Sequence, residues 1–199
     1  MEVYFVQIKK VKLEDIATVI TGLPLQRYIG KDDAIKQQVI QTMPFFEIGE
    51  KFETEEAEIS EDIKDRFYSQ EHDILYKVQQ PSFAKEITTE TGAIISNNYI
   101  IIRVDSTKVN STFLNYYLND PRVDYEIQRT IDSTRIMKVS TRILKDLKIL
   151  LPEKEQQDKQ AELITKINER IELKKKLIEC DEKLINSLYD GIIGDEYAN

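Results

Sequence analysis

The chain has 199 residues, 41% hydrophobic and 32% charged, with a formal net charge of −8. That apolar content suits one ordinary core with a small appendage, and the single cysteine, Cys180, excludes an internal disulfide or a metal site built on CxxC pairs. The opening MEVYFVQIKKVKLED has no apolar run long enough for a signal peptide or a membrane span, so a soluble protein of the reducing cytoplasm is expected.

In chain order, VYFVQI at 3–8 reads as a strand. KLEDIATVITGLP at 12–24 reads as a short amphipathic helix ending in Gly22. Residues 47–73 hold eleven acids against three basic residues, a balance of −8 that leaves the rest of the chain neutral. This stretch is expected to be a solvated loop, or a helix that carries its acids outward. DILYKV at 73–78 reads as a strand, and AIISNNYIIIRV at 93–104 as a strand pair or one long β-branched strand. In STFLNYYLN, the residues Phe113, Leu114, Tyr117 and Leu118 recur at helical spacing, with Ser111 or Thr112 able to cap and Pro121 ending the helix. Residues 122–148 hold seven Arg and Lys against four acids, so a basic face is permitted despite the acidic total. Mixed strands and helices without regular βαβ alternation define an α+β domain over 1–151.

A different region, 152–199, begins at Pro152. Neither Gly nor Pro occurs again before Leu188, and Gly191 and Gly194 are placed to stop the helix. At 1.5 Å per residue this helix is about 55 Å long, more than the width of a small domain. Ile164, Ile167, Ile171, Ile178, Ile185, Leu188 and Ile192 follow a heptad seam interrupted by Lys174 and Asp181, with Leu163, Leu173, Leu177 and Leu184 beside it. Such a helix requires a partner helix, unless it folds back on its own domain.

Catalytic machinery is not visible. His72 is the one histidine, and Cys180 lies in the long helix, where a packed small apolar residue is expected. None of the six glycines forms a phosphate-cradling GxGxxG or GxxxxGK[ST] pattern, and EEAEISED lacks calcium-loop spacing. No catalytic residue, metal ligand or cofactor is expected.

The order of segments carries more than any one of them. KLEDIATVITG, then DILYKVQQPSFAKEI, then NSTFLNYYLND are followed by VSTRIL (139–144), ILLP (149–152) and Glu155-Gln156-Gln157. This order resembles the target-recognition domain and spacer helix of a type I restriction–modification specificity subunit, whose stretches run "klgdia…G", "gDIl…g…gk", "n..fl.yyl", "is...l..i.iplP" and "EQ..I". The turn that is usually rich in glycine is here Gln79-Gln80-Pro81-Ser82-Phe83. Full subunits of the family carry two recognition domains and two helices, so this chain looks like a half subunit whose second half is another chain.

The resemblance implies sequence-specific recognition of double-stranded DNA without catalysis. The helix would pair with itself or a second half subunit through Ile164, Ile167, Ile171, Ile178, Ile185 and Leu188. Methyltransferase subunits, and a motor–nuclease subunit, would be the partners. Two clusters have residue types suited to base and phosphate contacts. They are Gln79, Gln80, Ser82 and Lys85 on the first polar turn, and Ser133, Thr134, Arg135, Lys138, Ser140 and Arg142 before the last strand. Leu25, Gln26, Arg27 and Tyr28 form a weaker third. The alternative from another class is a protein-interaction module that binds or competes for methyltransferase subunits without reading DNA, which the acidic balance favours.

Overall fold

The structure, a computed structural model, describes residues 7–30, 33–43, 51–60, 62–131 and 138–193, with side chains to Leu188. It has mixed sheets, helices and a long C-terminal helix, and it divides into two compact units, 1–161 and 162–199.

Unit 1 is organised around a four-stranded antiparallel sheet in the order β2 (Ala17–Thr21), β8 (Tyr99–Val104), β5 (Ile74–Lys77), β6 (Ala84–Glu86). Strand β8 is apolar on both faces because both are covered. Ile100 and Ile102 enter one core with Leu13, Val19, Tyr76, Phe113 and Leu144. Tyr99 and Ile101 enter a second with Ile40, Phe52, Leu75 and Ile95. Each of these buried isoleucines contributes about 1.5–3 kcal/mol of transfer free energy. The AIISNNYIIIRV stretch is therefore a strand pair, but its halves lie in different sheets. Its first part, β7 (Ile94–Ile95), runs parallel to β3 (Ala34–Ile40), which pairs on its other side with β4 (Thr54–Ser60). A third, two-stranded sheet joins β1 (Lys9–Lys12) to β9 (Lys148–Leu151).

Two expectations are corrected here. The stretch read as an amphipathic helix is a 3₁₀ turn, Leu13–Asp15, followed by strand β2. Thr18, Val19, Ile20 and Thr21 are β-branched or flanked by β-branched neighbours, and β8 offers them a ladder. Gly22 then brings the chain so close to Ser96 and Ile95 that a Cβ would overlap their carbonyls. Within the acidic stretch, residues 54–60 are a strand, not a loop or helix. Ile59, paired opposite Ile35, is buried, while Glu55, Glu56 and Glu58 stay exposed.

Helices α1 (Ser111–Leu118), α2 (Pro121–Thr130) and α3 (Thr141–Asp146) cover the first core. The cap of α1 is Asn110, not Ser111 or Thr112, whose hydroxyls instead donate to the Glu86 carboxylate at 2.6 and 2.9 Å. Pro121 opens α2 at its first turn, where a missing N–H costs nothing. The expected strand at 3–8 lies mostly outside the described residues.

Helix α4 (Lys154–Ile193) is 40 residues long, about 60 Å. It runs through Gly191, which does not stop it. Its first two turns belong to unit 1, where Gln157 is 1% exposed. The Gln157 Oε1 accepts the Asn110 N–H at 2.9 Å, and its Nε2 donates to the Pro152 carbonyl at 2.9 Å. Farther along, Cys180 is exposed rather than packed.

Asp73, at the entry to β5, is 1% exposed. Its two carboxylate oxygens accept Arg103 Nε and Nη2 at 2.8 and 2.7 Å, and Nη2 also donates to the Tyr68 carbonyl at 3.0 Å. Removing one member of such a fork leaves the other charge half-buried and unanswered. Asp73→Ala should lower stability by about 2–4 kcal/mol, discounted for the partial exposure of Arg103, as a shift of the urea midpoint. Gln157→Ala should cost about 2 kcal/mol by the same measurement, because it strands a buried N–H and a carbonyl.

Candidate functional site

The polar turn between β5 and β6 and the segment before α3 come together at one rim of unit 1. Gln79 and Lys138 form an isolated antiparallel bridge, and the Val139 N–H donates to the Val78 carbonyl at 3.0 Å. Val78 in turn donates its own N–H to the Asn98 carbonyl at 2.9 Å. Three main-chain segments thus meet where strand β5 ends and β8 begins, and the turn itself is closed by Lys77 N–H donating to the Phe83 carbonyl at 2.9 Å.

Of the first cluster, Gln79 is exposed, and Gln80 and Ser82 are half-buried. Lys85, expected on the turn, is instead in β6 and only 5% exposed. Its Nζ stands 4.5 Å from the Phe52 ring centroid and 3.7 Å from the Met43 sulfur, so the ammonium is held inside the domain. Lys77 is similarly buried, its Nζ lying 5.6 Å from the Phe83 ring centroid, and desolvation lowers its pKa.

Of the second cluster, Ser133, Thr134 and Arg135 lie outside the described residues. Lys138 is exposed on the bridge. Ser140 is exposed but already committed as the cap of α3, its Oγ accepting the Ile143 N–H at 3.4 Å. Arg142 points toward a groove of about 890 Å³ that it lines with Lys10, Tyr117, Arg122, Lys148 and Leu150, among others. The charges of this groove are partly answered within the protein. Arg122 donates to Asp120 through its side chain and its backbone N–H, which holds the Asp120 carboxyl down to about 2.

In the weaker third stretch, Leu25 and Tyr28 pack on a core of Leu23, Val39 and Ile59, leaving Gln26 and Arg27 exposed. Sequence reasoning passed over Asn98 and Thr42, exposed residues joined by a 2.6 Å bond from Asn98 Nδ2 to Thr42 Oγ1. The Asn97-Asn98 pair between two β-branched runs is the turn signal that could have drawn attention to this corner.

Among the described residues no group of three or more His, Cys, Asp or Glu could hold a metal ion, and no helix is long and apolar enough to cross a membrane. His72, at a positive φ of 68°, is exposed with Nδ1 2.8 Å from Glu86 Oε1. An exposed rim of amides and a lysine, fixed on main-chain hydrogen bonds, has donors and acceptors for base edges and phosphates.

The chain matches the family model of the type I restriction modification DNA specificity domain over residues 6–180. No curated protein matches it by sequence. Solved structures similar to it include the HsdS subunit from Thermoanaerobacter tengcongensis, at 13% identity and a TM-score of 0.65, covering 96% of this chain and 50% of that one. A chain from a structure addressing complex assembly and conformational transition of the type I R-M system matches at 14% identity and a TM-score of 0.66, covering 98% and 52%. The type-I restriction-modification system S subunit from M. genitalium matches at 16% and 0.63, covering 100% and 49%. The chain therefore spans about half the length of these structures, which share its fold. With most of its length matched by one family model, the chain belongs to the type I restriction modification DNA specificity domain family.

Proposed function

We propose that this chain reads one part of a split duplex DNA target through the rim around Gln79 and Lys138. The observation that carries this reading is the Gln79–Lys138 bridge, which joins two polar clusters from distant parts of the sequence. Gln suits adenine through a bidentate pair, and Lys suits guanine or a phosphate. Arg142 extends the surface toward the groove, and Ser133, Thr134 and Arg135 enter it on their residue types alone.

The chain acts as a half specificity subunit, and the second half is supplied through α4. Within that helix Ile167, Ile178, Ile185 and Leu188 are 39–59% exposed, and Leu163, Leu173, Leu177 and Leu184 are 58–66% exposed. An apolar stripe of that extent supports pairing with a second helix along Ile164, Ile167, Ile171, Ile178, Ile185 and Leu188. A two-fold pair would favour an inverted-repeat target. The paired helices position methyltransferase subunits and a motor–nuclease subunit, to which catalysis and its cofactors belong. The setting for this work is the cytoplasm. The formal charge of −8 implies that the isolated chain binds DNA weakly, and assembly with its partners supplies the remaining affinity.

A second reading, a module that holds methyltransferase subunits without touching DNA, is favoured by the exposed acids of β4. The two readings separate when the full chain, assembled with methyltransferase subunits, selects from a randomised duplex library. Gln79→Ala should lose about 1–3 kcal/mol of discrimination at one base pair. Lys138→Ala should weaken binding to all sequences and lower the salt slope by about 1. Unchanged selection by both variants would favour the second reading.

For the helix, Ile171→Asp together with Ile178→Asp should convert a dimer to a monomer by light scattering, because it places charges in the seam. A double variant that keeps the dimer mass would exclude this seam.

A further inference from the structure

Gln80 and Ser82 have the residue types of base readers, but their polar atoms are directed at each other. The Gln80 Nε2 donates to Ser82 Oγ at 2.9 Å, and its Oε1 accepts the Ser82 backbone N–H at 3.1 Å. Both bonds go to one residue, so the donor–acceptor edge of the amide is filled. That is the same edge a glutamine would offer to adenine in a bidentate pair. Ser82 Oγ also accepts from the Tyr76 hydroxyl at 3.3 Å, and Tyr76 is 1% exposed within the core beneath β5. A polar chain thus runs from the core through Ser82 to Gln80 and braces the loop from inside. Gln79 differs on each count. It is exposed, its backbone is in the bridge to Lys138, and its amide makes no hydrogen bond among the described residues.

We propose that Gln80 and Ser82 are positioning residues, which hold the 78–83 loop on the Tyr76 hydroxyl so that Gln79 is the amide of this turn that meets the duplex. This rests on the DNA-reading function proposed above and divides the labour within it. A side chain that reads a base changes which base is preferred. A side chain that braces the reader changes how strongly the preferred base is held.

Two measurements on the full chain test this. The first is hydrogen exchange at the Ser82 amide and needs no DNA. Gln80→Ala should speed that exchange by about tenfold, since its acceptor is lost. Gln80→Glu should keep it within about threefold of the parent, because a carboxylate oxygen accepts the N–H while the Ser82 hydroxyl turns to donate. Exchange that ignores Gln80→Ala, or is not restored in Gln80→Glu, overturns the brace.

The second is selection from a randomised duplex library by the chain assembled with methyltransferase subunits. Gln80→Ala and Ser82→Ala should each lower affinity for the selected sequences by about tenfold while every preferred base is retained, whereas Gln79→Ala loses the preference at one position. A new preferred base with Gln80→Ala or Ser82→Ala overturns the proposal, since those residues would then be reading bases themselves. If exchange responds as expected but neither Gln79→Ala nor Gln80→Ala alters selection, the brace stands and the DNA-reading function of this rim fails.

Discussion

A carboxylate almost wholly removed from water has to be answered, and Asp73 is answered by the fork of Arg103. That pair does more than neutralise itself. It ties β8 to the entry of β5, and through the Tyr68 carbonyl to the chain before it. The main-chain carbonyl of Asp73 accepts the Ile87 N–H at 2.7 Å, so the far end of β6 is held to the same residue. The β5–β6 hairpin is thus anchored at its base, and the register set there places Val78 opposite Asn98 and within reach of Val139. A slip of one residue would exchange Ile74 and Tyr76 with Leu75 and Lys77 between the two cores.

Part of the chain's acidity lies on a sheet edge. Strand β4 is an edge of its sheet, and its exposed Glu55, Glu56 and Glu58 discourage pairing with another chain while Lys36 answers Glu56 at 3.6 Å. The rim near Lys138 and Arg142 carries exposed positive charge in a chain whose total is negative. A single net charge does not describe how charge is distributed over a surface.

Helix α4 obeys two rules along one element. Its first turns are held by the buried Gln157 amide and by Ala161, 6% exposed, so they are part of the globular unit. Beyond Ala161 the helix belongs to the second unit, where Ile167, Ile178, Ile185 and Leu188 and the leucines beside them are exposed on the single chain. Most helical stability in proteins comes from packing an amphipathic face, and burying such a stripe takes a second surface.

The elements written most clearly in the sequence are those whose neighbours in space are neighbours in sequence. The helical spacing of Phe113, Leu114, Tyr117 and Leu118, the Gly- and Pro-free run after Pro152, and the β-branched run at 99–104 were legible as α1, α4 and β8. The order of family-like stretches was legible for the same reason, since each is a short local pattern. The stretch at 13–20 was not, because Leu13, Ile16, Val19 and Ile20 suit a helix until β8 supplies a ladder. The acids of β4 read as a loop or helix because their strand forms only where β3 pairs with it, although Glu55, Glu56 and Glu58 stay exposed as their composition suggests. Residue types nominated Gln79, Gln80 and Lys85 in one polar turn and Lys138 in a separate cluster before the last strand. Tertiary structure distinguished them, setting Gln79 beside Lys138, tying Gln80 to Ser82 and burying Lys85. Periodicity and composition act over a few residues, whereas strand pairing and core burial select partners across the whole chain, and it is those partners that decide which side chains remain at the surface.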